Sequence, residues 1–153
     1  MEDNRKRVAE LIRGSFAGVQ LGSGIGLREA QGIDDYEKKA AIASLRDRDE
    51  KHDWSAIAPA DLTACASSLS FFDAEGMRFH LPAFLVAELE GSVFHCAVFP
   101  LMDINEYKEG QYASLSTAQR RAVREFLLVI ADDPEFEFER EGLRRALAEY
   151  WDR

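Results

Sequence analysis

The sequence predicts an α+β fold: a helix-dominated single domain over residues 1–153, with one small antiparallel β-hairpin. Three observations predict it. Apolar residues recur at helical spacing near both ends of the chain, Val8, Leu11, Ile12 and Phe16 at one and Leu143, Ala146, Leu147, Tyr150 and Trp151 at the other. Ser116-Thr117-Ala118-Gln119 is a capping-box sequence that opens a third amphipathic stretch. Between them, two β-prone runs at 69–72 and 77–81 flank Asp73-Ala74-Glu75-Gly76, a connection whose glycine suits a hairpin turn.

In chain order, the first helix ends near Gly14 and Gly18. A glycine-dense stretch, 18–27, follows. Its spacing is G-x-G-x-G after a helix, not G-x-G-x-x-G after a strand, and it lacks the Gly-Lys-Ser/Thr ending of a phosphate loop. It therefore reads as a tightly turned connector. Asp34 and Asp35 are expected to cap a following helix with a weak stripe of Tyr36, Ala40, Ala43, Ile42 and Leu45. The polar run 46–53 reads as a solvated helix end, after which Trp54 returns the chain to the core. Pro59 begins a short helix carrying Leu62 and Cys65. In the expected hairpin, Met77, Phe79 and Leu81 face the core while Arg78 and His80 share the other side. Pro82 then opens a helix with Phe84, Leu85, Val86 and Leu89 inside and Gly91 at its end. Period leaves 92–101 open between strand and helix, and 102–115 reads mostly as loop. After Ser116 the helical stripe is Ala122, Val123, Phe126, Leu127 and Ile130, stopped by Pro134. Alternating Glu135-Phe136-Glu137-Phe138-Glu139 is ambiguous.

Charge narrows the function. Nineteen Lys and Arg against 28 Asp and Glu leave a formal charge of −9. That surplus argues against nucleic acid, whose phosphates require clustered cations. No apolar run of about 20 residues could span a bilayer. Arg5, Lys6 and Arg7 precede no apolar segment of a signal peptide, so a cytoplasmic location is expected, with Cys65 and Cys96 reduced.

The residues that carry chemistry are sparse. His52, His80, His95, Cys65 and Cys96 show neither C-x-x-C nor H-E-x-x-H spacing, so no metal and no cofactor are expected. Neither cysteine has a nucleophile signature, and G-x-S-x-G is absent. The remaining candidates are Asp49, Glu50, Trp54, Arg78 and His80. One reading makes them line a cleft beside the hairpin; the other makes an Arg78–carboxylate ion pair pin helix to hairpin. Arg120, Arg121 and Arg124 form a basic strip that Glu125 dilutes.

The runs Asp49-Glu50 to Trp54, 69–84 and Leu115-Ser116-Thr117-Ala118-Gln119-Arg120 to Phe126-Leu127 together resemble a family of small bacterial proteins of unknown function, DUF6714. The Arg78 to Phe84 run is the most specific part. The resemblance implies a single cytoplasmic domain and carries no activity. Size and charge are also similar to those of immunity partners of toxins. The leading expectation is a non-catalytic acidic module that binds a protein partner. The alternative is a small enzyme or ligand binder built on the carboxylate/Arg/His cleft, and a third is a subunit that assembles through a strand edge.

Overall fold

In the computed structural model, which describes residues 2–153, nine α-helices and several single turns follow one another, and no strand is present among the described residues. The expected α+β class is therefore corrected to all-α. The hairpin is absent: its first run starts in the last residues of a 3-10 turn (Ala66–Ser70) and leaves it as irregular chain, and its second lies inside helix α5 (Ala74–Leu89). Asp73 is not a turn residue but the N-cap of α5, its side chain accepting the Gly76 N–H. Met77, Phe79 and Leu81 alternate with Arg78 and His80 over a window too short to distinguish period two from a helix that is apolar on every side. Such a helix has no stripe to read. From Gly76 to Leu89 every residue of α5 except Arg78 is buried, and Ala74, Glu75 and Arg78 form its narrow outer edge. Pro82 sits in the helix interior rather than at its start. Its missing N–H leaves the Arg78 carbonyl without a helical donor, a cost of about 3 kcal/mol that tertiary burial must offset.

The other elements wrap this central helix. Helix α1 (Glu2–Ser15) packs on both α5 and α8 (Thr117–Asp132) through Val8, Ala9 and Ile12. The α8 capping box forms as its sequence predicts: Ser116 Oγ accepts from the Gln119 amide at 3.1 Å and Gln119 Oε1 from the Ser116 amide at 2.9 Å. Helix α2 (Leu27–Asp34), which the sequence reading missed, pairs with α3 (Lys39–Asp47). Asp35 is the C-cap of α2 rather than a cap for α3, and Tyr36 is 95% exposed rather than part of a buried stripe. Helix α4 (Pro59–Ala64) starts at its proline as expected, and short helices α6 (Val98–Met102) and α7 (Glu106–Gln111) occupy stretches left as ambiguous or loop. Pro134 ends α8, and α9 (Arg140–Ala146) runs into a π-helical turn (Leu147–Trp151) that buries Leu147, Tyr150 and Trp151. One continuous core includes Trp54, Phe79 and Phe126, each expected from the sequence to face inward. No helix is long and apolar enough to cross a membrane among the described residues.

The glycine-rich connector is a packed structural part. Its backbone lies across the first turn of α5: the Ile25 amide donates to Asp73 Oδ1 at 2.9 Å and Ser23 Oγ to Glu75 Oε2 at 2.8 Å. Arg46 of α3 closes it from the other side, donating to the carbonyls of Gly24 and Gly22 and to Glu29. A Cβ on Gly76 would lie 2.5 Å from the Ile25 carbonyl oxygen and 2.8 Å from Asp73 Oδ1. Alanine is the better helix former by about 1 kcal/mol, but here the clash is with backbone that cannot swing away. Gly76→Ala is expected to destabilise the fold by about 1–3 kcal/mol. Gly14→Ala, at a position in α1 with nothing within 4 Å of the new methyl, is expected to stabilise it by up to about 1 kcal/mol. Urea midpoints of the two variants check both signs.

Candidate functional site

The sequence-predicted site residues take up separate duties. Asp49 follows α3 and reaches the N-terminus of α2, accepting from the backbone amides of Arg28 at 2.7 Å and Glu29 at 3.1 Å. A Cβ on Gly26 would fall inside that carboxylate, so glycine makes the approach possible. Burial pushes the Asp49 carboxyl up, while the two amides and Arg28 oppose the shift. Glu50 accepts from the amides of His52 and Asp53, which hold its carboxyl below the usual range. Asp49 and Glu50 do share an open cleft of about 320 Å³, but their companions there are Arg28, Arg48 and Asp61, not Arg78 and His80. Arg28 bridges to Asp61 at 3.0 Å. Trp54 is buried, its indole donating to the Phe16 carbonyl at 2.9 Å.

Arg78 makes no ion pair among the described residues, so the expected pin to a carboxylate is replaced by another one. Its Nε donates to Gln119 Oε1 at 3.2 Å, and Gln119 Nε2 donates in turn to the Ser15 carbonyl at 3.2 Å. The arginine thus ties α5 to the cap of α8 and, through it, to α1. On a helix, residues two apart point about 200° away from each other, so Arg78 and His80 do not share a face. His80 is fully buried. Its Nδ1 lies 2.7 Å from the Gly76 carbonyl, which requires Nδ1 to carry the proton, and Nε2 has no partner. The ring stacks parallel on Phe72 at 4.3 Å between centroids. Desolvation dominates, and the imidazole is pushed down to about 4. Burial also raises the thiols of Cys65 and Cys96, with the Glu88 charge adding to the latter, so both are thiols rather than thiolates at neutral pH. No group of three or more His, Cys, Asp or Glu is placed to hold a metal ion among the described residues.

Three exposed phenylalanines lie elsewhere. Of ten phenylalanines, Phe94, Phe99 and Phe138 are exposed, by 77%, 43% and 88%. They belong to neighbouring elements. The loop that carries Phe94 packs through the His95 ring onto buried Phe136, 4.4 Å between centroids, and Phe138 follows two residues later. Phe99 lies on α6, which packs against α9. Residues 132–141 hold six carboxylates against Arg140, and Glu135, Glu137 and Glu141 are exposed. Beneath this face Glu88 of α5 is buried; burial raises its carboxyl, opposed by the charge and amide of His95 and by Arg5. His95 itself adopts φ 59° and places Nε2 3.8 Å from Glu135 Oε2. The Glu-Phe-Glu-Phe-Glu alternation is an ambiguous signal: in a strand Phe136 and Phe138 would share one face, whereas the helical turn separates them, one buried and one exposed.

With this geometry in place, relatives become informative. A family model described as Family of unknown function (DUF6714) matches residues 4–153. The chain belongs to DUF6714. No curated protein and no solved structure matches it. Membership covers nearly the whole chain, so Asp49, His80 and the acidic aromatic face all lie within the region that defines the DUF6714 family.

His80 gives the fold a pH dependence. Unfolded, its imidazole titrates near its ordinary 6.5; folded, at about 4. Between those values the unfolded chain binds a proton that the folded chain refuses. The His80 contribution is therefore complete above about pH 6.5 and lost as pH falls towards 4, by about 3 kcal/mol in total. Urea unfolding of His80→Phe, which keeps the stack on Phe72, is expected to show a flatter stability profile over that window than the wild type. An equal slope in both would contradict it.

Proposed function

We propose that this DUF6714 chain is a cytoplasmic, non-catalytic binding protein whose acidic aromatic face docks a basic protein partner. The single observation that carries the reading is the exposure of Phe94 and Phe138 around buried Phe136, rimmed by Glu135, Glu137 and Glu141. Exposed aromatic side chains are the residues that supply most of the energy at interfaces, and carboxylates at the rim steer and orient a cationic partner. The overall charge of −9 works in the same direction at long range. Occlusion of a basic enzyme surface, as the immunity partners of toxins achieve, is one form this function takes. The cleft at Asp49 supports a catalytic reading less well, because that carboxylate is committed to two backbone amides.

The test compares immobilised wild type with the double variant Phe94→Ser/Phe138→Ser in capture from an extract of the native host. Both positions are exposed, so the variant should melt with the wild type. A protein with an excess of Lys and Arg is expected on the wild type, released by raised salt and reduced about tenfold or more on the variant. Retention of the same proteins by both, or of none by either, would contradict the proposal.

A further inference from the structure

The opposite electrostatic character appears at the other end of α8. A concavity of about 330 Å³ lies between the first turns of α8 and the C-terminal π-turn, lined by Arg120, Arg121, Arg124, Arg153, Glu125 and Asp152 over a floor of Trp151. Four arginines thus meet two carboxylates, in a chain where acids outnumber bases by 28 to 19. Arg120 is fixed in place: its guanidinium stacks 4.5 Å from the Tyr150 ring centroid and 5.1 Å from that of Trp151, and Nη1 donates to the Tyr150 hydroxyl at 3.0 Å. Arg124 is steadied by Asp152 at 2.5 Å. Arg121 is exposed and has no hydrogen bond or ion pair among the described residues. Leu128, 37% exposed, lies one turn beyond Arg124 on the same stripe.

We propose that this outer face of α8, Arg121, Arg124 and Leu128 beside the Trp151 floor, is a second docking surface that takes an acidic amphipathic protein segment. Charge complementarity selects carboxylates locally. A phosphate polymer or an anionic membrane is disfavoured, because each binds in proportion to the cations it can contact and this short strip offers few, with Glu125 and Asp152 among them. Leu128 gives the partner an apolar contact that a polyphosphate cannot use. The fixed Arg120 and its ring stack keep the strip ordered before binding, which lowers the entropic cost of association. The acidic aromatic face begins where α8 ends, about 17 Å along the axis from Arg121 and about 6 Å from Leu128, so the two faces are tested by separate substitutions.

The test is an NMR titration of the ¹⁵N-labelled full-length chain with a synthetic peptide of about 14 residues, glutamate-rich with leucine at helical spacing. Shifts are expected at the amides of Arg121, Arg124 and Leu128 and at the Trp151 indole. Arg121→Glu/Arg124→Glu should weaken binding about tenfold or more with the melting temperature preserved, and Arg121→Lys/Arg124→Lys should retain most of it. The proposal is overturned by shifts confined to other residues, by unchanged affinity in the glutamate variant, or by no binding at millimolar peptide. Tighter binding of single-stranded DNA or inorganic polyphosphate than of the peptide would overturn it too, as would self-association that the peptide does not disrupt.

Discussion

One carboxylate oxygen, Asp73 Oδ1, accepts from two amides far apart in sequence, those of Gly76 and Ile25, each at 2.9 Å. The first bond caps the central helix; the second ties the glycine-rich connector across that same end. Much of the fold depends on this junction. Gly76 must lack a side chain so that Ile25 can pass, and its carbonyl accepts a hydrogen bond from the Nδ1–H of His80 one turn later. Arg46 and Asp49, arriving from α3, then hold the connector and the start of α2 against it. The polar groups of this half of the molecule mostly satisfy backbone that a long irregular connection would otherwise leave unpaired.

That commitment explains why the candidate residues dispersed. Asp49, Trp54, Arg78 and His80 do stand out from their surroundings, and the first three are partnered over 20 or more residues while His80 bonds one turn back in its own helix. What they share is structural duty: a helix N-terminus, the Phe16 carbonyl, the α8 cap and the Gly76 carbonyl. A polar residue beside apolar neighbours marks a buried junction as readily as a reactive site.

Legibility followed amphipathicity. Helices with one wet side, α1, α8 and the closing α9, show their apolar stripes in the sequence, and the cap at Ser116 and the stops at Gly91 and Pro134 can be read from local chemistry. Helix α5 could not be read this way, because its surroundings remove the contrast between its sides and Met77 to Leu81 imitates a strand. Asp73 followed by Gly76 is consistent with a turn or with a helix start, and only the approach of Ile25 decides between them. Short helices α2, α6 and α7 have too few residues to show a period. The exposed Phe94 and Phe138 were visible as apolar letters, but whether such a residue faces water depends on elements such as Phe136 and α9 that pack around it.

The most direct measurement of the central junction is amide hydrogen exchange in Asp73→Ala. If one oxygen serves both segments, the amides of Ile25 and Gly76 lose protection together, by about 1–2 kcal/mol, while that of Gln119 in the α8 cap is unchanged. Loss at Gly76 with Ile25 still protected would contradict the coupling and detach the connector from the central helix.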